Sequence, residues 1–182
     1  MIYITVKEDY QAYTIFETLN ARGMNLSFVD LIKNKLFKEL NQQHPDDTAK
    51  TKWKKLRFLI SSREGLGNLN LETFVRHWWI SRYSYVSAEK VYKDFRKKWN
   101  NNEIYANQFI DDLISDAEKY IKIASPTWDD WKQQEEKDIY RSLNAIKIFE
   151  VSQNRPFILS LLRAKEAKLI KLRYLKNILG FI

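Results

Sequence analysis

Apolar residues recur at three- and four-residue intervals along almost the whole of this sequence, and that rhythm constrains it to helices packed by one face. Ala12, Ile15, Phe16 and Leu19 keep it; so do Leu71, Phe74, Val75, Trp78 and Trp79, and a further stripe is formed by Val91, Tyr92, Phe95 and Trp99. Only 4 glycines and 3 prolines interrupt 182 residues, which favours long helices over a turn-rich β fold. The exception is Ile2 to Val6, β-branched and alternating, which reads as a short strand with unpaired edges open to another copy. The expectation is an all-α protein of eight or nine helices, in one domain or two small lobes, with at most that N-terminal strand.

The spacing predicts helices over Glu8–Asn20, Ser27–Leu40, Ala49–Ser61 and Leu71–Tyr83, then one capped by Ser87. Others come at Ile104–Ile123, Lys132–Val151 and Pro156–Ala164, with a last one from Ala167. Trp53, Leu56 and Ile60 face inward in the third, and Ile139, Leu143, Ile146 and Phe149 in the helix after Thr127, Asp129 and Asp130. Asn154 before Pro156 reads as an N-cap ahead of a helix-compatible proline. His44 to Asp47 is a loop, and Gly65 and Gly67 mark a turn that lacks the Gly-Lys-Ser/Thr ending of a phosphate loop. Leu169, Leu172, Leu175 and Leu179 form the closing stripe, which runs to Ile182 without a polar cap and reads as cut.

Hydrophobic content of 45% and aromatic content of 14% are values of a folded core. Absence of cysteine excludes disulfides, thiolate metal sites and cysteine nucleophiles. No signal-peptide pattern opens the chain and no apolar run approaches the roughly 18 residues that span a membrane; cytoplasmic placement fits. A formal net charge of +8 points to an anionic partner, nucleic acid first, although lysine-rich helices also serve solubility alone.

Between Ala12 and Phe37 a helix, a stop and a capped second helix lie close together. Gly23 sits where a left-handed C-cap costs least, Ser27 offers an N-cap, and Asp30 adds a first-turn carboxylate. The residues Phe16, Glu17, Leu19, Asn20, Arg22, Gly23, Leu26, Ser27, Asp30, Leu31, Lys33 and Asn34 meet a specific pattern. It resembles the motif closing the N-terminal half of GmrSD-type restriction endonucleases, a ParB/sulfiredoxin-like family (domain of unknown function 262). The looser helical, Trp- and Tyr-rich remainder resembles the region C-terminal to the motif in those proteins.

That resemblance implies residues 1–40 as the end of a ParB-like domain and 41–182 as a helical domain truncated at its C-terminus. It implies a parent protein that is a nucleotide-dependent DNA endonuclease of bacteria or archaea, using a nucleotide and a divalent metal, in restriction or phage defence. The family's Asp-Gly-Gln-Gln-Arg run is absent here, and a His-Asn-His nuclease module cannot be built from His44 and His77 alone. This segment is therefore expected to hold no cofactor or metal and to be non-catalytic by itself, a scaffold or DNA sensor between the missing parts. The alternative is a basic helical protein-interaction module with no nucleic-acid role.

The residues most suited to a site are Asn20, Arg22 and Lys33, with Asp30 and Asn34, which could bind phosphate or support a nucleotide pocket in the parent protein. They could equally cap and brace a helical hairpin. Candidate nucleic-acid contacts are Lys50, Lys52, Lys54, Lys55 and Arg57 around Trp53, and Arg96, Lys97 and Lys98 beside Trp99. On the other reading the rings are core and the lysines a solvated face. Arg163, Lys165, Lys168, Lys171, Arg173 and Lys176 make a third basic region. The pairs Trp78–Trp79 and Trp128/Trp131 are expected in core or interlobe packing. Asp111–Asp112 and Glu135–Glu136 point different ways on a helix, so neither is a carboxylate dyad.

Overall fold

The computed structural model of the protein describes residues 27–43, 48–61 and 69–180. The strand Ile2–Val6, the helix Glu8–Asn20, the stop at Gly23, the loop His44–Asp47 and the Gly65–Gly67 turn lie outside the described residues. Within them the fold is all-α and contains no strand. Eight α-helices succeed one another: α1 (Phe28–Gln43), α2 (Thr48–Ser61), α3 (Leu71–Arg82), α4 (Val91–Asn100), α5 (Ala106–Ala124), α6 (Lys137–Ile148), α7 (Arg155–Glu166) and α8 (Leu172–Gly180). Single 3-10 turns stand at Ala88–Lys90, Trp128–Asp130 and Gln134–Glu136.

Local chemistry accounts for several of these boundaries. Ser27 caps α1 as expected, its Oγ accepting from the Val29 N–H at 3.1 Å, with Asp30 in the first turn. Asn70 caps α3, its Oδ1 accepting from the Thr73 N–H at 2.8 Å. Ser87 stands at the N-cap of the 3-10 turn ahead of α4 but makes no capping hydrogen bond, and neither does Asn154 ahead of α7.

At the centre lies α5, against which α1, α2, α3, α6 and α7 all pack. Its nineteen residues bury Phe109, Ile110, Leu113, Ala117, Tyr120 and Ile121 among others, more than one face of a helix. Phe109 takes Trp78 of α3 edge-on at 5.1 Å and Phe95 of α4 at 5.4 Å, while Tyr120 meets Phe74 of α3 at 5.2 Å. Buried residues from all eight helices join in one cluster. The expected inward residues Trp53, Leu56, Ile60, Phe74, Val75, Trp78, Trp79, Ile139, Leu143 and Ile146 are all in it.

Four expectations are corrected. The helix expected from Lys132 to Val151 begins only at Lys137, because Thr127 and Asp130 form a capping box that closes a single 3-10 turn instead. Lys137 reaches back to the Trp128 carbonyl at 3.1 Å and lies 3.7 Å over its ring. Trp131 is core, but Trp128 remains 51% exposed. Phe149 is 77% exposed rather than inward, because α6 stops before it and Glu150 turns left-handed at φ 56. The last helix starts at Leu172, not near Ala167, since Lys168 at φ 58 ends α7 and leaves Leu169 exposed.

Candidate functional site

Lys50, Trp53, Lys54 and Arg57 fall at i, i+3, i+4 and i+7 along α2, so one side of that helix carries three cations and a ring. The opposite wall comes from α1 through Lys33 and Phe37, and the end wall from Leu69, Asn70 and Leu71 at the start of α3. Together they line a groove of about 790 Å³. It continues through Lys33, Trp53, Arg57 and Asn70 into a space of about 400 Å³ edged by Ser27, Asp30 and Glu72. Lys33 therefore shares one concave surface with Lys50, Lys54 and Arg57, two sets of residues that the sequence places in separate candidate sites.

The floor of this groove is apolar and fixed. Trp53 is buried and meets Phe37 edge-on at 6.3 Å, so its faces belong to the core. The ring that reaches solvent is Phe58, 68% exposed and lining the same groove. Sequence reasoning missed it, and a signal was available: Phe58 lies off the Trp53–Leu56–Ile60 stripe, where an apolar side chain must face outward. Lys33 holds Asp30 at 2.9 Å, while Asn34 is exposed. Asn20 and Arg22 lie outside the described residues.

The remaining basic candidates are scattered. Lys52 turns to α5 and pairs with Asp111 at 2.7 Å; Lys55 is exposed and lines no part of the groove. On α4, Lys98 bonds Glu103 at 2.9 Å and covers the Tyr83 ring at 4.7 Å. Lys97 is exposed, and the Arg96 Nε is buried without a hydrogen-bond partner. Lys35 stands 5.8 Å over Trp99, so that ring already carries a cation. In the third region Arg163, Lys165 and Lys176 pair with Asp116, Glu136 and Asp138.

Chemically the groove offers amines, a guanidinium, an amide and an apolar floor, which suits the binding of an anion with some apolar surface. The acidic neighbours do not form dyads: Asp111 goes to Lys52, Asp112 to Arg82 and Glu136 to Lys165. Among the described residues no cluster of His, Asp and Glu could hold a metal ion. His77 is away from this groove, buried on α3, with Nδ1 2.5 Å from the Tyr120 hydroxyl. Burial, aided by the charges of Arg155 and Arg76, lowers its pKa to about 4. Among the described residues no helix is long and apolar enough to cross a membrane. No family model, curated protein or solved structure matches this chain.

Proposed function

We propose that this chain is the helical, nucleic-acid-contacting segment of a GmrSD-like restriction or phage-defence nuclease, working in the cytoplasm of a bacterium or archaeon. The observation that carries the reading is the convergence of Lys33, Lys50, Lys54 and Arg57 on one groove. Cations spaced along a concave surface track a phosphate backbone, and an exposed ring such as Phe58 adds apolar contact at the edge. The motif that carries the family resemblance runs into this groove at Lys33. In the intact protein, Asn20, Arg22 and Lys33 support the nucleotide pocket, and Arg22→Ala lowers nucleotide affinity on the folded fraction. Alone, the chain neither hydrolyses nucleotides nor cuts DNA.

Fluorescence anisotropy with labelled duplex DNA at several salt concentrations tests the proposal. Binding should weaken steeply with salt because phosphate contacts release counterions. Replacing Lys50, Lys54 and Arg57 together by alanine should flatten the slope of log K against log salt by about 0.9 for each phosphate no longer neutralised. A triple variant that binds with the wild-type slope removes the groove from the reading.

The second reading is a protein-interaction module whose basic groove takes an acidic partner. The exposed Phe58 beside the apolar Phe37, Leu69 and Leu71 favours it, since such anchors mark protein interfaces. No DNA binding even at low salt would select it.

A further inference from the structure

A second cavity, of about 510 Å³, opens between α3 and the N-terminus of α7 and shares no lining residue with the basic groove. Its wall includes Arg76, His77, Tyr85, Ser152, Phe157 and Ser160. Its size is that of a small-molecule site. His77 is 7% exposed, and its Nδ1 is held by the Tyr120 hydroxyl. Arg155 of α7 places a positive charge near both His77 and Tyr120. His77 itself lines the cavity.

The other walls are equally specific. Arg76 donates Nε to the Val86 carbonyl at 3.2 Å, which fixes the side chain, and lies 5.9 Å over the Tyr85 ring. Its two terminal nitrogens make no hydrogen bond or ion pair among the described residues, leaving a planar fork suited to phosphate. Tyr85 and Phe157 are 78% and 51% exposed. Both rings line the cavity and can stack on a flat ligand.

A guanidinium fork and two exposed rings on one cavity suit a ligand that carries both an anion and a flat ring. We propose that this cavity binds a nucleotide unit, with its phosphate at Arg76 and its base against the Tyr85 and Phe157 rings. The ligand is a free nucleoside monophosphate or one unit of a single strand; both present the same groups. Binding here is independent of duplex binding at the groove on α1 and α2.

Isothermal titration of the full chain with AMP, GMP, CMP and UMP, and with adenosine and inorganic phosphate as partial probes, tests it. At least one mononucleotide should bind, more tightly than adenosine or phosphate. Because Tyr85 and Phe157 are exposed, Tyr85→Ala and Phe157→Ala should fold normally and weaken binding at least about fivefold each. Arg76→Gln should abolish the preference for AMP over adenosine, while Lys54→Ala in the other groove should change nothing. A short single-stranded oligonucleotide identifies the source: tighter binding than AMP, equally sensitive to Tyr85→Ala, assigns a strand, and weaker binding assigns the free nucleotide. The proposal is overturned if no mononucleotide binds at millimolar concentration, or if binding survives both ring substitutions. Equal competition by inorganic phosphate would overturn it as well.

Discussion

Arg163 of α7 donates to Asp116 of α5 at 3.0 Å, forty-seven residues back along the chain. The same guanidinium bonds the Ser81 carbonyl at 2.6 Å and its hydroxyl at 2.8 Å, so one side chain ties α7, α5 and the end of α3 together. Asp116 is buried and also accepts from the Trp78 indole at 2.9 Å and from Lys119 at 3.3 Å. Burial depresses the pKa of Arg163, and Asp116 opposes that shift. The pair is a charged knot between three packed helices.

Breaking it should cost more than a surface ion pair. Arg163→Ala leaves the Asp116 carboxylate short of its main counter-charge and two Ser81 oxygens without their donor, a loss of about 3 kcal/mol. Arg163→Lys should recover only part of this, because an ammonium cannot span Asp116 and Ser81 as a planar fork does. Urea unfolding followed by circular dichroism measures both; equal stability of Arg163→Lys and wild type would contradict the role of the fork.

His77 should make the protein less stable in mild acid. Its folded pKa of about 4 lies below the ordinary 6.5. Between those values the unfolded chain takes up a proton that the folded chain refuses, so stability falls as pH drops from about 6.5 to about 4. The full effect is about 3 kcal/mol. Glu89 and Glu103, held below an ordinary 4.5, add to the loss only at the acid end of that window, and Asp138, held below 3.8, acts under it. Measuring unfolding free energy across it, for wild type and His77→Phe, checks the assignment: the variant should lose this slope.

Three helices end on a left-handed residue that is not glycine. Asn102, Glu150 and Lys168 have φ of 57°, 56° and 58°, and the next amide in each case bonds back five residues: Glu103 to Lys98, Val151 to Ile146 and Leu169 to Ala164. Glu150→Gly and Lys168→Gly should each stabilise the fold by about 1 kcal/mol, since the relief of left-handed strain exceeds the added chain entropy. Asn102→Gly should do less, because asparagine tolerates this conformation. Thermal midpoints rising by about 2–4 °C for the first two would agree; a fall would not.

On α2 two aromatic residues should behave oppositely. Trp53→Ala removes a buried ring and should cost about 3–5 kcal/mol, whereas Phe58→Ala should alter stability by no more than about 0.5 kcal/mol. Chemical denaturation distinguishes them, and weaker partner or DNA affinity in folded Phe58→Ala would mark that ring as part of the interface.

The helical class and most core residues were legible because they depend on spacing alone. Trp53, Leu56, Ile60, Phe74, Trp78 and Leu143 are where a helical period puts them, and Ser27 caps as its position promises. The ends of α6 and α7 were not legible. Glu150 and Lys168 carry no local signal for a left-handed turn, and only packing of the helices they join holds them there. Phe149 and Leu169 continue an apolar stripe on paper and lose it when the helix stops short. The same division runs through the sites. Lysine clusters are visible in sequence, but which of them converge is set by helix packing. Lys52 finds its carboxylate fifty-nine residues away on α5, while Lys33 from α1 is brought beside Lys54 and Arg57 from α2. Likewise His77 is an isolated letter until α5 supplies Tyr120 and α7 supplies Arg155. Local periodicity determines the elements because it acts within a few turns of one chain. Only tertiary packing can decide the cavities and the long-range charge pairs, because each depends on side chains brought together from distant parts of the sequence.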